Sequence, residues 1–556
     1  MTKASFGVRA PLGVLLILSI AAYLTRLYPL SISPYPFNND SLTECGIASE
    51  ILRSGHLEFN PGTSWYGTHS VYTPVHNVAI AFFAATLGVS PLQCAQAFGA
   101  VLAVVSIGGL FLLGKLFSGD LRGGVTAAFA GIMMGTFVFT TGSVWKETLG
   151  IALLILAILS YVRRNTLEFR VLTFVLLVLL TFVHHLVAAV GLLAFAYLLA
   201  WSWYSSLSNH ERRSRVIADS ITIVIPALVT VWYYTSVSFD SIQVISSPIR
   251  IALVIAGFIF VSLVTIIILS MRSHVKWTFA PLVGIGFLVL IVLDYIGFVF
   301  PYSPSASSLY ILLGVASAYL VALCWYGTEF MLERLPRYRA VQFALLISPM
   351  TIIGYGFAQG FSLESHKILY RSFDFLDLFV FLGLAVGVSV LANRRKRLYL
   401  LLSSLMIVAL VISFPFGYES EKLLGVRHDT QSYEIDAMEW LVEMSSSPTI
   451  ISDERMAYIA HVTTSAHSDS VLPRYFSEGA GFPPFTWYYV MEDSWTTVGV
   501  NDYPNGKLVL SVERYTQASE AADVFYVGGP SGDRIVMFLV SYVGSNTVFV
   551  PPSLSS

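Results

Sequence analysis

Charge is what this sequence has least of. Asp, Glu, Lys and Arg make up 12% of its 556 residues, about half the share of an ordinary soluble domain, while 55% of residues are hydrophobic and mean hydropathy is +0.71. A chain so poor in charge is an integral membrane protein. Cysteine is scarce as well: Cys45, Cys94 and Cys324 lie far apart with no CxxC spacing, which excludes a disulfide framework and a cysteine-based zinc cluster. A net charge of −2 leaves no basic surface for nucleic acid. The apolar runs do not alternate, so a β-barrel is excluded too.

What the chain does have is a series of apolar runs of about 18 or more residues between Pro11 and Pro415, long enough to cross roughly 30 Å of hydrocarbon as helices. They give about thirteen crossings, near residues 11–30, 92–116, 122–142, 147–162, 169–183, 186–205, 216–237, 250–271, 277–299, 308–331, 340–358, 374–392 and 398–416. The N-terminus, with Lys3 and Arg9 ahead of an apolar stretch, resembles a signal peptide but has no A-x-A site, and reads as an uncleaved first helix. The loops "GKLFSGDLR", "RRNTLEFR", "NHERRSR", "MRSHVK", "ERLPRYR" and "NRRKR" hold most of the Lys and Arg, which sets them and the N-terminus in the cytoplasm.

The expected fold is therefore an α-helical polytopic membrane domain over residues 1–417, with a large first outer loop at 30–91, followed by a small extracytoplasmic α/β domain at 418–556. In the loop, "NDSLTECGIASEILRSGHL" predicts a surface helix, and "VHNVAIAFFAATLGV" a segment lying in the interface or dipping into the membrane. In the tail, "SYEIDAMEWLVEM" has helical spacing, while "TIISDE", "RIVMFLVS" and "NTVFVPP" read as strands. The chain ends in "PPSLSS" rather than a retention signal, so a prokaryotic cell membrane is the expected location.

Chemistry gathers at the outer helix ends, where Asp40, Glu44, Lys146, Glu147, His184, His185 and Asp240 fall, together with "ESHKILYRSFDF". Two readings account for Asp40: "NNDSLTE" is a ready helix cap, and a carboxylate at a membrane-level cavity also serves as a general base or holds a divalent cation. Glu147 suits the positive end of a helix dipole, whereas Lys146 beside it does not. The pair His184 and His185 sits at a helix junction and offers either local hydrogen bonds or metal ligands. His366, Lys367 and Arg371 run against the inside preference for positive charge, with Lys367 and Arg371 on one helical face and Arg371 suited to a phosphate.

This arrangement resembles the GT-C superfamily of polytopic glycosyltransferases. An acidic residue follows the first helix ("NND", Asp40), a second lies between helices three and four ("WKE", Glu147), and a late outer loop is basic ("SHKILYR"). The crossing number and outer tail also look like the oligosaccharyltransferase branch. That branch's WWDYG motif is not in this chain, which has "FTWYYVMEDSW" and "SWYGTHS" instead, so a monosaccharide transferase like the mannosyl- and arabinosyltransferase members is the nearer match.

The resemblance implies inverting transfer of a sugar from a polyprenyl-phosphate donor to a glycan, lipid or protein acceptor. Asp40 would be the base, Glu147 its support, and Arg371, Lys367, His366 and Lys146 would hold the donor phosphate. Trp65, Tyr66, His69 and Tyr72 would stack on sugar or acceptor, and Mg²⁺ or Mn²⁺ would be shared by Asp40 and Glu147, with His184 and His185 as further ligands. A transporter using Asp294 and Asp377 for ion coupling, and an assembly subunit, are the rival readings.

Overall fold

The computed structural model describes residues 9–57, 73–207, 213–237, 259, 262–263, 279–295, 308–358, 371–418, 427–444, 449–464, 467–469, 472–473, 488–502, 506–520, 523–529 and 534–539. Among the described residues up to 237 lie ten α-helices: α1 Arg9–Leu27, α2 Asn39–Ser54, α3 Val75–Leu87, α4 Pro91–Ser118, α5 Leu121–Met133, α6 Gly135–Gly142, α7 Lys146–Val162, α8 Leu167–Val183, α9 His185–Ser206 and α10 Arg213–Ser236. Five more follow: α11 Phe279–Tyr295, α12 Ser308–Arg334, α13 Pro336–Ala358, α14 Leu376–Arg394 and α15 Lys396–Ser413.

Local sequence starts these helices where they start. Ser90 and Gln93 form a capping box with Pro91 in the first turn of α4, and the Asp120 carboxylate accepts the Arg122 N–H at the head of α5. Seven described helices are long and apolar enough to cross a membrane, and an eighth span results if α5 and α6 count as one. This is a multi-pass membrane protein. Helices lie near twelve of the thirteen expected crossings; the one near 250–271 falls almost wholly outside the described residues. α3, at 13 residues, is apolar but too short to span.

The run 122–142, read as one crossing, is two helices bent by 68° at Met134. A bend strands the last carbonyls of α5 in an apolar interior, and Arg26 of α1 takes them up. Fully buried, its guanidinium donates to the Gly131 carbonyl at 2.7 Å, the Ile132 carbonyl at 2.8 Å and Thr141 Oγ1 at 2.9 Å. Beyond the bend, the Gly135 N–H donates to Ser413 Oγ at 2.8 Å. The Gln96 amide of α4 donates to the carbonyls of Arg26 and Gly142, pinning the far end of α6.

One large apolar core joins α1, α4, α5, α7, α8, α9 and α12 to α15. α12 and α14 approach most closely where glycines meet: a Cβ on Gly327 would overlap the backbone of Gly383 and Gly387. The order after α15 is α16 Ser432–Met444, β1 Thr449–Ile451, α17 Glu454–Thr464, β2 His467–Asp469, β3 Tyr488–Glu492, β4 Val500–Asp502, β5 Gly506–Leu508, α18 Val512–Glu520, β6 Asp523–Gly528 and β7 Ile535–Leu539.

The main sheet runs β2-β1-β3-β7-β6, with β1 parallel to β2 and β3 and the pairs β3–β7 and β7–β6 antiparallel; β4 and β5 form a separate hairpin. The expected helix at "SYEIDAMEWLVEM" and the strands at "TIISDE" and "RIVMFLVS" are α16, β1 and β7, whereas "NTVFVPP" lies outside the described residues. Leu42 of α2 is buried among Ile435, Met438, Leu441, Met456 and Ile459, so α2 and the tail share a core.

Candidate functional site

The site begins at the head of α2. Its cap is Asn38, whose side-chain Oδ1 accepts the Asp40 N–H at 3.1 Å. With the capping duty met there, the Asp40 carboxylate points elsewhere. Ser41 Oγ accepts the Val144 N–H at 2.9 Å and donates to the Phe37 carbonyl at 2.5 Å, joining the first turn of α2 to the turn leading into α7.

Asp40 and Arg371 lie 3.7 Å apart, Oδ2 to Nη2, and the other guanidinium nitrogen is 3.8 Å from Glu147 Oε1. Arg371 opens the apolar run that continues as α14, and Glu147 lies in the first turn of α7, where its charge suits the helix dipole. Glu147 is buried, while the Asp40 and Arg371 side chains are 38% and 29% exposed, so the arginine and the first carboxylate face an opening. The Trp145 ring backs Arg371 at 5.8 Å from its centroid, and its own N–H donates to the Thr140 carbonyl.

His184 caps α9 by accepting the Val187 N–H at Nδ1, which leaves Nε2 to carry the proton of the neutral ring, 3.5 Å from Glu147 Oε1. His185 stacks on it at 4.6 Å between ring centroids. A second pair lies alongside: Lys146 Nζ is 3.4 Å from Glu44 Oε1, and the Asn77 amide of α3 donates to the same carboxylate. Burial raises the Glu44 carboxyl above its ordinary pKa, with Lys146 and Asn77 opposing. Asp374, three residues past Arg371, lies beside Thr140.

Of the residues singled out in the sequence, Asp40, Glu147, Arg371, His184 and His185 thus come together, with Lys146 beside them on Glu44. Trp65, Tyr66, His69, Tyr72, Asp240, His366 and Lys367 lie outside the described residues. Asp377 accepts the Thr136 hydroxyl at 2.7 Å beside the bend after α5; the side chain of Asp294 is not described. Asn38 and Asn77 were missed as site residues, and Glu44 and Asp374, noted among the outer charges, were given no role in the site. Spacing held a signal for two of them, since Glu44 is one helical turn from Asp40 and Asp374 is three residues from Arg371.

Among the described residues no three His, Cys, Asp or Glu side chains are placed to hold a metal ion, and the Arg371 guanidinium lies between Asp40 and Glu147, the two carboxylates expected to share a Mg²⁺ or Mn²⁺.

No protein-family model and no curated protein matches the chain. Solved structures do. The oligosaccharyltransferase AglB of Archaeoglobus fulgidus, in complex with an inhibitory peptide and a dolichol-phosphate, matches at TM-score 0.56 and 12% identity over 95% of this chain and 74% of that one. The same enzyme with zinc and sulfate matches at 0.53 and 12% over 94% and 72%, and tethered to an acceptor peptide containing the NVT sequon at 0.56 and 13% over 97% and 74%. At 12–13% identity the likeness is one of fold: the chain is built like these oligosaccharyltransferase structures, the kind of architecture that the resemblance in its sequence implies.

Proposed function

We propose that this protein is a membrane glycosyltransferase that moves a sugar from a polyprenyl-phosphate carrier to an acceptor on the outer face of the membrane, in one inverting displacement. The observation that carries this reading is Arg371 held between the half-exposed Asp40 and the buried Glu147, on a fold like that of an enzyme bound to dolichol-phosphate.

Asp40, facing the opening, takes the proton from the acceptor hydroxyl as its oxygen attacks the anomeric carbon. The bond to the carrier phosphate breaks, and the phosphate leaves as an anion that needs no proton. Arg371 meets that charge with a planar pair of N–H donors, aided by Lys367 and His366 of the same outer loop. Glu147 fixes the guanidinium from behind, and His184 in turn holds Glu147. Lys146 orders Glu44 on the neighbouring face of α2.

The test is transfer by the purified full chain from radiolabelled polyprenyl-phosphate mannose, glucose and arabinose into membrane extract. Label in a glycan, lipid or protein product is the expected result; no transfer from any of these donors, with solute flux in vesicles instead, favours a transporter. A peptide-asparagine acceptor is the second reading, favoured by the likeness to AglB tethered to its acceptor peptide. Label on a sequon peptide in the same assay selects it.

A further inference from the structure

Asn38 has φ +82° and ψ 139°, and it stands alone at positive φ among the described residues other than glycine. An ordinary N-cap lies in the relaxed extended region. A side-chain-bearing residue persists in the strained one only where its surroundings over-determine it, and such positions gather at functional sites.

Here every polar atom of the residue is engaged. The Asn38 N–H donates to the His428 carbonyl at 3.0 Å, and its carbonyl accepts the Ser41 N–H at 3.1 Å. Oδ1 accepts the Asp40 N–H at 3.1 Å, while Nδ2 donates to Ser143 Oγ at 3.4 Å. The preceding residue is clamped too: the Phe37 N–H donates to Gln96 Oε1, and its ring packs edge-on to Phe139 and Tyr418. Three parts of the chain meet at this one buried residue: its side chain joins the head of α2 that bears Asp40 to the turn before Lys146 and Glu147, and its backbone N–H reaches the segment 427–430 that follows the last apolar helix.

We infer that Asn38 is a positioning residue that sets Asp40 against Glu147 and Arg371 and ties that geometry to the segment 427–430. The inference rests on the role proposed above for Asp40. A glycine occupies φ +82° without strain, so Asn38→Gly removes the side-chain contacts without breaking the backbone path.

The experiment compares full-length wild type, Asn38→Gly, Asn38→Asp and Asp40→Asn by thermal unfolding, by amide exchange over residues 39–44 and by initial-rate transfer from labelled polyprenyl-phosphate sugar. Asn38→Gly should unfold no earlier than wild type, exchange faster over 39–44, and lose about 10- to 100-fold in kcat with donor KM within about twofold. Asn38→Asp keeps the acceptor for the Asp40 N–H and should restore exchange protection and part of kcat. Asn38→Gly with wild-type kcat beside an inactive Asp40→Asn overturns the positioning alone. Full transfer by Asp40→Asn overturns the base assignment and the positioning with it.

Discussion

Helix α2 needs one capping side chain, and because Asn38 supplies it, the carboxylate two residues on is released to face Arg371 at 3.7 Å. The capping duty that the sequence offered to Asp40 thus falls to Asn38, next door. Arg371 works through its fork of donors, reaching both Asp40 and Glu147, and a lysine offers a single point of charge in its place. Arg371→Lys should therefore raise donor KM about tenfold or more and lower kcat, read by initial rates with labelled donor. A Lys variant with wild-type constants would mean that Arg371 meets no phosphate.

Among the elements, the bend between α5 and α6 governs where α7 begins, and a buried arginine supports it. Arg26→Met keeps the volume but leaves the Gly131 and Ile132 carbonyls without donors in an apolar interior, at about 1–3 kcal/mol for each. The expected loss is about 2–5 kcal/mol in thermal unfolding of the solubilised protein, with a fall in transfer because α6 leads to Lys146 and Glu147. Gly327→Leu should likewise unfold early, since α12 and α14 cannot then close, and α14 continues the run that Arg371 opens. Apolar runs and charged loops made the helices legible in the sequence, as did the approximate starts of α2, α7 and α9. Hydropathy could not reveal the bend: residues 123–142 carry no charge, and the kink depends on Arg26, a hundred residues upstream. Asp40, Glu147 and Arg371 were legible because charge is scarce and each stands at a helix end. Asn38 was not, because its conformation comes from contacts with Ser143 and His428, far along the chain.

On the scale of the whole molecule, the tail and α2 meet beside a buried cluster of charge. Arg455 pairs with Glu434 at 2.7 Å and with Glu492, while Arg427 lies 3.5 Å from Glu434. Burial pushes the Glu434 carboxyl up to about 7, Arg455 opposing and the shared neighbour Glu492 adding to the rise. A carboxyl raised in the folded state binds more protons there than in the unfolded chain, so its contribution falls as pH climbs from about 4.5 to 7, by about 3 kcal/mol at most. Glu434→Gln, neutral throughout, should gain stability relative to wild type between pH 5 and pH 8; an unchanged difference in melting temperature would contradict this. The central claim concerns the site on the other side of that junction, where Asp40 acts as base. Its most direct test is the pair of kinetic constants for Asp40→Asn with labelled polyprenyl-phosphate sugar as donor. The account predicts a loss of about 100-fold or more in kcat with donor KM nearly unchanged; wild-type kcat in that variant would contradict it.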